Sequence, residues 1–168
     1  FDIDYNILSH SPYLTFDIVY KYKEKNWNLK AMKFDLYGKN YDNVKKFTDF
    51  PWDYNLLSSH NVPFDIISKN PDKSWNYNAI SIRGYIPTEL FRNNINKEWN
   101  FRYLSNFVSL SVVYDYPDKE WDFKILSSRK YLNIKFVKSQ PNKSWSYTEI
   151  INNNLIFWSD IKEWKLNS

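Results

Sequence analysis

Apolar and polar positions alternate along the chain in a two-beat pattern. The first beat reads Trp-[Asn/Asp]-[Tyr/Phe]-x-x-[Leu/Ile]-Ser, as in Trp52–Ser58, Trp75–Ser81 and Trp121–Ser127. The second is an apolar residue, a small or breaker residue, and then an acidic or polar position followed by two apolar ones. It occurs at Leu14–Val19 (LTFDIV), Val62–Ile67 (VPFDII), Ile86–Phe91 (IPTELF) and Leu132–Val137 (LNIKFV). A loop such as Asn-Pro-Asp-Lys-Ser then leads to the next tryptophan.

The tryptophans act as a ruler. Trp27, Trp52, Trp75, Trp99, Trp121, Trp145 and Trp164 are spaced by 25, 23, 24, 22, 24 and 19 residues. Ile3 holds the tryptophan place of a first unit, because DYNILS there matches DYNLLS after Trp52. Five of the seven tryptophans carry both Asn, Asp or Ser at +1 and Tyr or Phe at +2. Self-similarity at a period of about 20–50 residues marks a solenoid, propeller or array. Units therefore start near Ile3, Trp27, Trp52, Trp75, Trp99, Trp121 and Trp145, with a partial unit at Trp164, in a single tandem-repeat domain over 1–168.

Two readings of the beats compete. Aromatic and β-branched residues favour strands, and a Trp, +2, +4 spacing is compatible with alternation. Yet two glycines are too few for the tight turns of a β-rich repeat array. The second beat also carries helix-start signals. Leu14 and Val19 fit a hydrophobic staple around an N-cap at Thr15, with Asp17 in the first turn; Leu132, Asn133 and Val137 repeat the arrangement. Pro63 and Pro87 occupy the same cap column. In the first beat, Asp72, Glu98, Asp118, Glu120 and Glu163 lie at or before the expected start, and Trp and +4 would share one side of a helix. The expected fold is all-α: a right-handed-type α-solenoid of about seven short helix-turn-helix repeats of 22–25 residues. Its helices should run roughly seven to nine residues, too short to persist without stacked neighbours. A β-rich repeat array is the alternative. The second unit lacks the serine, and the last carries an extra tryptophan, Trp158, as terminal repeats often differ.

Composition supports a packed chain: 43% of residues are hydrophobic and 20% aromatic. No cysteine is present, which excludes disulfides and thiolate metal sites. No apolar run reaches the ~18 residues that span a bilayer, so no membrane association is expected. The polar-interrupted N-terminus, without a basic flank, predicts no signal peptide. A start at Phe1 rather than Met predicts a processed form or a fragment. Asn, Lys, Ile, Tyr and Phe are abundant, and their codons are A/T-rich.

The phrase at Asn70–Ser81, and again Pro117–Val137, resembles tandem repeats of giant viruses of the mimivirus kind. These read roughly Asn-Pro-Asp-Lys-Pro-Trp-[Asp/Asn]-Trp-x-x-Leu-Ser. Here Tyr77, Phe101 and Phe123 stand at the second tryptophan, and Ser or Glu replaces the proline before Trp. The resemblance covers nearly the whole chain. It implies a viral repeat protein inside an infected host cell or a virion, and it transfers no active site.

Nothing in the sequence predicts an enzyme. His10 and His60 lack acid–nucleophile neighbours, and no phosphate-cradling glycine loop, zinc spacing or nucleophile elbow occurs. No cofactor or metal is expected. The most regular charged column lies two residues before the tryptophans: Lys25, Lys73, Lys97, Lys119, Lys143 and Lys162. It reads either as a phosphate-contacting ladder or as turn lysines whose stems cover the next tryptophan beside acids such as Asp72 and Asp118. Eight residues after the tryptophan place stand Ser11, Asp35, His60, Arg83, Phe107, Arg129 and Asn153, a column that varies completely. A variable turn on a constant frame is how repeat proteins present specificity. The tryptophans themselves read as core rather than as a base-stacking platform. The expected function is a non-catalytic scaffold for a protein partner. The alternative is a DNA- or RNA-binding repeat protein that uses the lysines for phosphates and the variable turns for sequence. A structural virion component is a third reading.

Overall fold

The structure is a computed structural model that describes residues 2–32 and 36–154, without the side chains of Asn40, Asn153 and Asn154. Asp35, Lys162, the side chain of Asn153, Trp158, Glu163 and the partial unit at Trp164 lie outside the described residues. Among those described, twelve short α-helices and two 3-10 turns occur, with no strand. The all-α expectation therefore holds over the β-rich alternative.

The chain forms two compact units, Phe1–Asn76 and Tyr77–Ser168. In the first lie α1 (Tyr5–Leu8), α2 (Phe16–Lys21), α3 (Asp42–Lys46), α4 (Tyr54–Ser58) and α5 (Phe64–Lys69), with 3-10 turns at Leu29–Ala31 and Lys39–Tyr41. In the second lie α6 (Tyr77–Ser81), α7 (Thr88–Asn93), α8 (Phe101–Leu104), α9 (Leu110–Asp115), α10 (Phe123–Ser127), α11 (Ile134–Ser139) and α12 (Tyr147–Asn154). Each regular repeat supplies a first and a second helix, as its two beats predict.

The helices are shorter than expected, at four to eight residues. In the first beat the cause is the +1 side chain, which fixes the start. Asp53 Oδ1 accepts the amide of Leu56 at 2.8 Å, Asn100 Oδ1 that of Tyr103 at 2.9 Å, and Asp122 Oδ1 that of Ile125 at 3.0 Å. These are N-caps, so the helix begins two residues after the tryptophan. The expected placement of Trp on the helix is thereby corrected. So is the helix-start role given to Asp72, Glu98, Asp118 and Glu120, which precede the +1 residue by two to four positions and lie outside the helices.

The second helices start as the sequence predicts. Thr15, Asn133, Pro63 and Pro87 are the N-cap residues of α2, α11, α5 and α7. Leu14, Val19, Leu132 and Val137 are all buried. Proline tolerates this position because a capping residue's own amide has no helical acceptor to lose.

The loop between repeats is a hydrogen-bonded turn that aims the indole. The Asn70 carbonyl accepts both the Lys73 amide at 3.2 Å and Trp75 Nε1 at 2.7 Å. Pro71 sits second in this turn, where its fixed φ is favourable. Carbonyls of Tyr22, Asn94, Tyr116 and Gln140 accept the same pair of donors in their repeats. The indole N–H is thus satisfied while the ring is buried, as a buried tryptophan requires, except that Trp27 is only half-buried.

In the second repeat the Phe47 carbonyl accepts the same pair, the Phe50 amide at 3.2 Å and Trp52 Nε1 at 2.9 Å, and the first unit closes around an aromatic cluster beside this turn. Phe16 packs on Phe47, Phe50 and Trp52 with centroids 5.1, 5.5 and 5.6 Å away. At the rim of the cluster Tyr20 donates to Asp49 at 3.0 Å, and Lys23 pairs with the same carboxylate. These hydrogen bonds, Lys23 first and Tyr20 second, hold the Asp49 carboxyl below its ordinary value of 3.8. Lys23 and Tyr20 are both raised, chiefly by their bonds to Asp49. A lowered carboxyl stabilises the fold above its unfolded pKa, and that contribution disappears as pH falls through the folded value. The raised Lys23 and Tyr20 contribute below their unfolded values and lose this as pH rises through the folded ones. The urea midpoint of the first unit should therefore fall on acidification below the ordinary carboxylate range, and Asp49→Asn should shrink that fall. Equal acid dependence in parent and variant would refute the assignment.

Candidate interaction surfaces

The serine that closes five of the seven first beats is completely buried: Ser9, Ser58, Ser81, Ser105 and Ser127 all have zero exposure. Each hydroxyl donates to the carbonyl four residues back at 2.7–2.8 Å. Each also accepts the +1 amide of the next repeat, from Asn28, Asn76, Asn100, Asp122 and Ser146, at 2.9–3.0 Å. One hydroxyl therefore occupies the end of its own helix and joins it to the start of the next repeat. Sequence reasoning recorded this column without a role. Its signal is the recurrence of a small polar residue among apolar neighbours in five of the seven units.

Beside the hydroxyl, five tryptophans stand edge-on to the +2 ring of the preceding repeat; Trp52, preceded by Leu29 at that position, stacks on Phe16 instead. The pairs Tyr5–Trp27, Tyr54–Trp75, Tyr77–Trp99, Phe101–Trp121 and Phe123–Trp145 have centroids 4.8–5.0 Å apart and planes at 66–89°. Trp52, Trp75, Trp99, Trp121 and Trp145 are 5–7% exposed, which makes them core and leaves no stacking platform in them. In the second unit the Tyr77 hydroxyl also donates to the buried Asn94 Oδ1 at 2.8 Å.

The lysine column lies on the same rings. Nζ of Lys25, Lys73, Lys97, Lys119 and Lys143 is 5.1–5.9 Å from the centroid of Tyr5, Tyr54, Tyr77, Phe101 and Phe123 respectively. This is cation–π range. The ammonium group covers the aromatic of the preceding repeat rather than the following tryptophan. Lys73 also lies 3.7 Å from Asp72, and Lys119 donates to Asn96 at 3.4 Å.

The column eight residues after the tryptophan is not one surface. His60 is exposed and edge-on to Tyr37 at 5.3 Å, and Ser11 Oγ accepts the Tyr13 amide at 3.3 Å. Arg83 is half-buried. Arg129 is half-buried too, and its Nη1 donates to the Val108 carbonyl at 2.6 Å and the Ser105 carbonyl at 3.4 Å. Burial lowers its pKa against an opposing effect of Tyr114. Phe107 is exposed. The column mixes these roles because the interhelix turn varies in length, so a fixed count from tryptophan meets different points of it.

Shallow grooves accompany the first helices. One of 390 Å³ is lined by Arg102, Glu120, Trp121, Asp122, Lys124 and Ser144. Its counterpart in the first unit, of 370 Å³, is lined by Asn6, Asn26, Trp27, Asn28, Lys30 and Asp53. Both mix cations with carboxylates, and the first holds an Arg102–Asp122 pair at 3.4 Å. Among the described residues no group of three or more His, Asp or Glu side chains is placed to hold a metal, and no helix is long and apolar enough to cross a membrane. Comparison with known proteins finds no matching family model, no matching curated protein and no matching solved structure.

Proposed function

We propose that this chain is a non-catalytic repeat scaffold, its helix pairs stacked as an α-solenoid, that holds a protein partner on its interhelix turns. The observation that carries the reading is where the repeated residues are engaged. Tryptophan, serine, the +2 ring and the lysine all join one repeat to the next, as five tryptophan–ring pairs and five serine bridges show. The turns between the two helices are what remains to differ from repeat to repeat. The resemblance to giant-virus repeats supports the repeat architecture of this reading.

The nucleic-acid alternative draws on the lysines, and their place over rings weakens it. A phosphate ladder needs ammonium groups free to displace counterions. Here each is already set against a π-face. The test is oligonucleotide binding by the parent and by Lys73→Glu/Lys97→Glu/Lys119→Glu. The parent should retard no oligonucleotide at moderate salt. The variant should lose about 1.5–3 kcal/mol of stability, since each of its three exposed cation–π contacts contributes roughly 0.5–1 kcal/mol. Salt-steep oligonucleotide binding that the triple change abolishes would reverse the choice.

A further inference from the structure

We infer that the interhelix turns of the second unit form a docking face for an extended, carboxylate-bearing peptide segment of the partner. This rests on the scaffold reading and names the partner's chemistry. All four exposed large apolar side chains among the described residues of that unit lie on these turns: Ile82, Tyr85, Phe107 and Tyr131. When turns are aligned on the buried residue before each second-helix cap (Ile86, Val108, Leu132), the position just before it is Tyr85, Phe107 and Tyr131. An aromatic thus recurs once per repeat, at 72%, 45% and 89% exposure. Tyr13 holds the same place in the first unit, at 88%.

Folding does not explain Tyr131. Its φ is 65°, the left-handed region that disfavours side chains. The α6–α7 turn has its own left-handed position, one residue earlier in this alignment, and fills it with Gly84 at φ 89°. A tyrosine that is almost wholly exposed and sits on disfavoured backbone contributes little to the core. Exposed aromatics of this kind are the anchors of protein interfaces.

Charge chooses the occupant. The turns 82–87, 105–109 and 128–133 contain no carboxylate and three cations, Arg83, Arg129 and Lys130. The loops before the tryptophans, by contrast, carry Glu98, Asp118 and Glu120. Arg129 ties the turn of Tyr131 to that of Phe107 through the Ser105 and Val108 carbonyls, so the two turns are one continuous face. The same bonds occupy Arg129 Nη1, and Arg83 is half-buried, which leaves Lys130 as the exposed cation of these turns. The positive field attracts carboxylates. One free cation over three repeats is too few to hold a phosphate backbone by counterion release.

The test uses the full chain and three labelled probes: a peptide of repeated Pro-Leu-Glu, the same peptide with Lys for Glu, and an oligothymidine. The Glu peptide should bind roughly tenfold more tightly than the Lys peptide. Tyr131→Gly should weaken it about tenfold while melting at or above the parent, and Tyr85→Ser should weaken it comparably. The docking face is overturned if the Glu peptide fails to bind, if the Lys peptide binds equally, or if the folded Tyr131→Gly chain binds as the parent does. Partner capture from the native host, with nuclease present, separates the two levels. A protein still captured by both variants keeps the scaffold and discards this face. Oligothymidine binding lost with Tyr131→Gly discards both.

Discussion

Trp99→Ala should destabilise the second unit by about 3–5 kcal/mol, the range for emptying a buried aromatic site. Trp99 is 6% exposed, lies 4.8 Å from the Tyr77 ring and 4.9 Å from Phe91, and donates its indole N–H to the Asn94 carbonyl at 2.8 Å. Truncation removes the ring contacts and leaves a cavity between two repeats. It also frees Tyr77, whose hydroxyl is tied to Asn94. Against a typical domain stability of about 5–15 kcal/mol, such a loss leaves little cooperativity. Urea unfolding followed by circular dichroism reads it directly. Trp99→Phe should cost less, because it restores a ring and forfeits mainly the N–H bond. A Trp99→Ala midpoint within about 1 kcal/mol of the parent would show that the indole is not central to the packing.

The second large effect belongs to a much smaller side chain. Ser105→Ala removes one oxygen, yet that oxygen donates to the Phe101 carbonyl and accepts the Asp122 amide. The change strands a backbone N–H at a site with zero exposure on the serine side. An unsatisfied buried donor costs about 1–3 kcal/mol. Ser128→Ala is the matched control: that residue is exposed and its hydroxyl bonds only Ile125 within its own repeat. The control should lie within about 0.5 kcal/mol of the parent. Hydrogen exchange adds a local readout, since the Asp122 amide should lose protection in Ser105→Ala and keep it in Ser128→Ala. Retained protection at Asp122 would mean that the serine does not bridge the repeats.

Much of this was legible in sequence, and the remainder was hidden for identifiable reasons. The period survives because five tryptophans return to the same partner ring, the +2 aromatic of the preceding repeat. The second helices could be read at Thr15, Pro63, Pro87 and Asn133, since capping leaves a local imprint. The first helices were misplaced because Trp looks like an apolar helical position. Its role in the turn depends on a carbonyl five residues back, as at Asn70 and Trp75. The serine bridges and the cation–π contacts span 17–19 and about one repeat of sequence respectively, beyond any local pattern. The exposed aromatics were visible but not aligned. Counting from tryptophan reached Arg83 and Arg129, and counting back from the second helix reaches Tyr85 and Tyr131.

The serine bridge has a consequence for how such a chain can change its length. It asks the next copy for nothing but a main-chain N–H at a set place, which every amino acid except proline supplies. At this bridge, therefore, one copy can follow another without a matched side chain, and only the tryptophan, the +2 ring and the lysine need to recur. Recombination between copies can lengthen, shorten or shuffle the array and re-order whatever its turns display.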